Sequence, residues 1–203
     1  MQQLIGLEVE HMNDKLFVET ICRMIENDDS AVPITSGAAL DVNIPSVVKR
    51  VKRIAQLFNQ SAKIASQLRL ELKSRKIPES SLIQEVSTRW NSAYAMLERY
   101  YKLADAVCVV LVKAGRAELV LRNEELEIIP DILQCLQPFL EITKVVGQEH
   151  EPTISLIVPY ITSLIKELSV MKVKTPIGRS FAACLLAQTK QRLLTYEEKT
   201  VAR

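Results

Sequence analysis

The single tryptophan of the chain stands between a cation and an amide, in Arg89-Trp90-Asn91, within the stretch EVSTRWNSAYAML (85–97). Two chemistries suit that arrangement. A Trp packed over a helix start, its indole N–H given to a backbone carbonyl, is ordinary structure. An indole face beside a phosphate-binding guanidinium is instead a platform for an unpaired base, and such stacking is worth ~1–3 kcal/mol. A second group with chemical potential is KRVKR (49–53). Its Lys49, Lys52 and Arg53 suit phosphate contacts or a nuclear localisation signal, and suit equally the wet face of an amphipathic helix with Val51 turned inward. These two readings are compatible, because a wet basic face is where a phosphate would be met.

Other chemistries find little support. The four Cys, at 22, 108, 135 and 184, are never spaced as CxxC, and His11 and His150 lie near none of them. Zinc ligands cluster more closely than this. Each Cys sits in an apolar helical run, which suits a buried free thiol. There is no Gly-rich phosphate loop, GxSxG or HExxH. Two-metal phosphoryl transfer needs several converging carboxylates. The Asp residues at 13, 28, 29, 41, 105 and 131 lie outside any strand-like run and read as solvated faces and caps. Glu85 lies in the one strand candidate, and a lone carboxylate does not hold two metals. No catalytic residue, metal site or cofactor is expected.

The elements that must position Trp90 and the basic cluster are helical. Val47, Val51, Ile54, Phe58, Ser61, Ala65, Leu68 and Leu72 recur at steps of four and three, one face of a single long helix. Asn43 suits its cap and Pro45 its first turn, and Pro78 ends it. SLIQEV (81–86) is the best strand candidate. Ser87 or Thr88 then caps a helix to about Lys113, with Tyr94, Leu97, Tyr101, Ala104, Cys108 and Leu111 as its apolar stripe, a Glu98–Lys102 pair outside and Gly115 after its end. Asn123, with Glu124 and Glu125, opens the next helix, in which Pro130 and Pro138 predict a kink or break. Thr153 starts another, with Pro159 inside it. Thr175-Pro176 is a strong start signal for a last helix to about Glu197. A blurred helix over 3–26 and a loop over 28–43 precede all of these.

Five Gly and 5% aromatic residues argue against an all-β fold, while 48% hydrophobic and 25% charged residues suit a soluble chain with a core. The net charge of +2 and pI of about 8.3 are too near neutral for binding nucleic acid by overall charge, so any such contact is local. The N-terminus has no signal-peptide pattern, and no apolar run reaches the ~18 residues of a membrane span. The expectation is a soluble, intracellular, mainly α chain.

The stretch around Trp90 also resembles the D-V-x-T-R-W-N-S-T-Y-x-M-L-E-R stretch of hAT-superfamily transposases and the BED-type zinc-finger proteins derived from them. Thr88, Arg89, Trp90, Asn91, Ser92, Tyr94, Met96, Leu97, Glu98 and Arg99 stand where that pattern has them. Glu85 and Ala93 are mild departures. Phe58 and Ser61 upstream, and Pro138, Phe139, Thr143, Pro152, Thr153, Ser155 and Pro159 downstream, are similar too, so the likeness covers roughly 44–197. It implies part of a ribonuclease-H-like domain with a helical insertion: mainly α, an incomplete core, and at most one or two short strands. Residues 1–43 would be an N-terminal helix and flexible linker, 44–116 part of the ribonuclease-H-like domain, and 117–203 the helical insertion. The family's two catalytic Asp would precede the matched region and its Glu would follow the insertion. Its catalysis is therefore carried over to no residue. The resemblance implies that Arg89 and Trp90 handle a distorted base, and makes them, with Lys49, Lys52 and Arg53, the candidate DNA contacts. The function expected is a catalytically inactive, nuclear, DNA-associated or regulatory fragment; the alternative is a helical protein-interaction module. DNA, a protein partner or a second copy are the partners open to it, with no membrane and no small-molecule substrate.

Overall fold

The computed structural model describes residues 43–85, 90–146 and 154–201. The helix expected over 3–26, nearly all of the 28–43 loop, the caps Ser87, Thr88 and Thr153, and the residues Arg89, Gly147 and His150 lie outside the described residues. So does the side chain of Trp90.

The described residues are mainly helical, with no strand among them: α1 Ile44–Gln60, α2 Ala62–Ser74, α3 Trp90–Lys113, a 3₁₀ turn Ala117–Leu119, α4 Asn123–Val146, α5 Ile154–Val170 and α6 Pro176–Val201. They divide after Pro130, inside α4, into two compact units.

In the first unit, α1 and α2 both pack on α3. Asn43 caps α1 as its sequence suggests: the side-chain oxygen accepts from the Ser46 amide at 2.7 Å, with Pro45 in the first turn. The apolar stripe of α1 is inside, with Val47, Val51 and Ile54 wholly buried and Phe58 nearly so. Each such side chain contributes about 1.5–3 kcal/mol relative to exposure.

The single long helix expected over 47–72 is broken at Ser61, whose backbone is extended (φ −114°, ψ 103°). Ser61 serves both ends of the break. Its amide gives to the Leu57 carbonyl at 3.1 Å. Its hydroxyl accepts from the Ile64 amide at 3.4 Å, starting α2. Serine competes with the helix by such local bonds, so it suits a junction better than an interior.

The strand expected over 81–86 is also absent, since residues 81–85 carry no regular structure. Leu82 is buried at 4% exposure, and Glu85 is held by an ion pair instead of a ladder. Among the described residues it has no neighbouring strand to pair with, and Leu82 anchors it as a loop.

Helix α3 is the centre of this unit, and its buried face is wider than one stripe. Leu97, Val107 and Leu111 are fully buried, and so nearly is Tyr100, at 4%; Tyr101, expected inside, is 43% exposed. Lys102 pairs with Glu98 at 2.8 Å on the wet side as expected. The helix ends in a Schellman motif, with Arg116 N–H to the Leu111 carbonyl, Gly115 N–H to the Val112 carbonyl and Gly115 at φ +70°. The end of α2 repeats that motif with Lys76, not glycine, at φ +58°.

In the second unit, α5 and α6 pack on each other. Helix α4 is continuous through Pro130 and Pro138, so the kink-or-break signal there does not end it, and α5 is continuous through Pro159. Helix α6 starts as read from Thr175-Pro176: the Thr175 hydroxyl accepts from the Gly178 amide at 2.9 Å. Asp131 of α4, 2% exposed, takes both backbone amides ahead of α6, Lys174 N–H at 3.1 Å and Thr175 N–H at 2.7 Å, and the Thr175 hydroxyl at 2.6 Å. Burial pushes the Asp131 carboxyl up, but these donors outweigh it and hold it below the usual carboxylate range.

Candidate nucleic-acid interface

Helix α1 carries the basic cluster, and its helical turn sorts the four cations. Lys49 and Arg53, four residues apart, are exposed, and neither pairs with a described carboxylate. Arg50 and Lys52 turn toward the protein. The Arg50 guanidinium gives to Glu125 at 2.8 Å, and that carboxylate is 1% exposed. The Lys52 ammonium lies 3.0 Å from Glu85, 4% exposed. A carboxylate buried to this extent needs a cationic partner, because leaving it bare costs several kcal/mol.

Glu125 has a second task. It accepts from the Arg122 amide at 2.8 Å, the reciprocal half of a capping box at the start of α4. Burial pushes the neighbouring Tyr100 phenol well up, with Cys108 and Glu125 adding to the effect and Arg50 opposing it. Arg75 and, from the C-terminal end of α3, Lys113 both bond to Glu71 and hold its carboxyl below the usual range.

The structure thus joins Lys52 to the segment that leads toward Trp90, while Lys49 and Arg53 remain on the outer face of α1. Trp90 is the first residue of α3. Arg99, from the same helix, reaches back to the Ser81 carbonyl at 3.1 Å and ties down the start of that segment. The sequence suggests solvated faces or caps for the Asp residues and Glu85, but Asp131 and Glu85 are buried and bonded; Glu125 does serve the start of its helix as expected, and is buried there too. For Glu85 a signal existed in its apolar neighbours Leu82, Ile83 and Val86. For Glu125 the signal was its place three residues after Arg122. For Asp131 there was none, since its donors lie more than forty residues away.

None of the described residues form a group of three or more His, Cys, Asp or Glu able to hold a metal ion. Three cysteines among them are free: Cys135 buried, Cys108 and Cys184 half-buried. Burial pushes the Cys135 thiol up to about 12, with the Asp131 charge adding to it, and burial raises Cys184 as well. Neither has the electropositive surroundings that make a thiolate nucleophile.

Comparison with known proteins agrees with the motif. Residues 38–135 match the family described as the ZBED1 RNase-like helical domain. A Talaromyces stipitatus protein named as a transcriptional regulator, tpeD, is 29% identical over 175 residues, which cover 86% of this chain and 19% of that protein. Zinc finger BED domain-containing protein 4 of Homo sapiens is 20% identical over 128 residues, 63% of this chain and 11% of that one. The chain spans a fifth or less of the length of these curated relatives. The matches support a hAT- and BED-derived origin, and among the described residues no helix is long and apolar enough to cross a membrane.

Proposed function

We propose that this chain is a non-catalytic, regulatory segment of a hAT-transposase-derived nuclear protein and that it associates with DNA. The observation that carries the reading is the outer face of α1, where Lys49 and Arg53 stand exposed without a described carboxylate partner. The names of the two relatives, a transcriptional regulator and a BED zinc-finger protein, support it. Arg89 and Trp90 are the remaining proposed contacts. The described buried acids support the non-catalytic part: Glu85, Glu125 and Asp131 are each consumed by a lysine, an arginine or backbone donors, so none is free to hold a substrate-activating ion. The same reading takes 44–116 as part of a ribonuclease-H-like domain and 117–203 as its helical insertion. It is tested by fluorescence anisotropy of the chain with labelled duplex and single-stranded DNA at low salt, with the same samples incubated with magnesium and manganese. Binding without cleavage is expected. Metal-dependent cleavage, or no binding, refutes it.

A second reading, a helical protein-interaction module, rests on the exposed apolar residues Leu70 (68%), Val112 (56%) and Tyr101 (43%). Light scattering over a concentration series tests it for self-association.

A further inference from the structure

The charge of the chain is unevenly placed. Between residues 44 and 78 it holds nine basic side chains and one acidic, against +2 for the whole. The structure assigns part of this excess to internal work. Arg50 and Lys52 neutralise buried Glu125 and Glu85, Arg75 serves Glu71, and Arg69 pairs with Glu79 at 3.1 Å. Of the rest, Lys73 and Lys76 stand exposed at the far end of α2, and the outward cations of α1 follow one line along that helix. Lys49, Arg53, Gln56 and Gln60, at steps of four, three and four, are all exposed and share one face of the helix. Lys63, exposed in the first turn of α2, follows them in the chain. Helix α1 contains no acidic residue. Its apolar residues Val47, Val51, Ile54 and Phe58 are committed to the core.

From this we infer that the Lys49–Arg53–Gln56–Gln60 stripe is a track for the sugar-phosphate backbone of duplex DNA, read without regard to base sequence, while Arg50 and Lys52 are positioning residues. The inference rests on the DNA-associated reading above and sharpens it to a surface, a chemical group and a mode. Lysine and arginine neutralise phosphates, and glutamine side chains are among the groups that hydrogen-bond phosphate and sugar oxygens. Four positions spread over twelve residues span about 16 Å of helix axis, against one DNA charge per ~1.7 Å, so several phosphates lie within reach at once. An anionic membrane would need apolar side chains flanking the cations, and the stripe has none. A protein partner would need a desolvated apolar or aromatic anchor, and the stripe offers none.

The test measures binding of the whole chain to short labelled duplexes of two unrelated sequences, as a function of salt. Wild type is expected to bind both alike. Each neutralised phosphate contributes about 0.9 to the slope of log K against log salt, so K49Q/R53Q should lower the slope by about 1.8 and lose about tenfold less affinity between 50 and 200 mM salt. Q56A/Q60A should weaken binding with the slope unchanged, because amides displace no counterion. K52Q should keep the wild-type slope and unfold at lower denaturant, which marks an internal role. Circular dichroism confirms that the two exposed double variants fold. If wild type binds DNA and K49Q/R53Q binds it with the same slope and affinity, the track is overturned and the DNA-associated reading stands. If wild type binds one sequence strongly and the other weakly, the backbone mode is overturned. If wild type binds neither duplex at 50 mM salt, both readings fall.

Discussion

Replacing Asp131 with Asn leaves its shape almost unaltered and removes its charge. In the native fold three donors converge on the carboxylate: Lys174 N–H at 3.1 Å on one oxygen, and Thr175 N–H at 2.7 Å and the Thr175 hydroxyl at 2.6 Å on the other. Asparagine keeps one accepting oxygen. Its amide nitrogen must therefore face either Lys174 N–H or the Thr175 pair, donor against donor, at a site 2% exposed. A hydrogen bond to a charged group contributes about 1.5–3 kcal/mol, and an unsatisfied buried donor costs about 1–3 kcal/mol, so D131N should lose about 2–4 kcal/mol. With a urea dependence of about 1–3 kcal/mol per molar, the midpoint followed by circular dichroism should fall by about 1 M or more near neutral pH. The pH dependence has a definite sign. The folded carboxyl lies below its ordinary value of 3.8, so its stabilisation is complete above that value and disappears as pH falls through it toward the folded value. The gap between wild type and D131N should therefore close in acid. An unchanged midpoint at neutral pH, or a gap that widens below pH 4, would refute the account of Asp131 as the charged anchor of α6.

The inward and outward cations of α1 should behave oppositely. Arg50→Ala leaves the buried Glu125 carboxylate only the Arg122 amide and the more distant Arg122 guanidinium at 3.7 Å, and should cost about 1.5–3 kcal/mol, whereas Lys49→Ala should stay within about 0.5 kcal/mol, both read from denaturant unfolding. The two left-handed helix ends give a second matched pair. Lys76→Gly should stabilise by about 0.5–1 kcal/mol, and Gly115→Ala should destabilise by a similar amount although open space surrounds the added methyl, both checked by thermal melting. Cys135, its thiol pushed up to about 12 and buried, should stay unmodified by an aromatic disulfide reagent at pH 8 until denaturant is added. Modification of the native protein at Cys135 would count against its burial.

What the sequence revealed of this fold was what depends on neighbours along the chain. Asn43, Thr175-Pro176 and Gly115 mark helix ends through bonds spanning three to five residues, so their chemistry is visible locally. The apolar spacing of α1 likewise names its own buried face. The break at Ser61 was hidden, because the apolar steps continue through it into Leu68 and Leu72 while the hydroxyl does its work within one turn. Tyr100 and Tyr101 were exchanged because α3 receives α1 and α2 on a broad face, and spacing alone does not say how broad. The KRVKR cluster was legible as basic and as lying on a helix, but its division into struts and outer contacts was not. That division is set by Glu125, 75 residues from Arg50, and by Glu85, and neither of these ion pairs follows a local pattern.

The junction at Ser61 leaves the chain no slack. One residue both closes α1 and opens α2, so no spare loop absorbs a change of length between the two helices. Inserting or deleting a single residue in the first turn of α2 would rotate the rest of that helix by about 100° and shift it by about 1.5 Å. Leu68 and Leu72, now buried, would swing off α3, and Lys63 would leave its place after the α1 stripe. Among relatives that share these helices, gaps should therefore gather in the connections on either side of residues 44–74 and avoid the interval itself, so that its length is inherited more strictly than its letters.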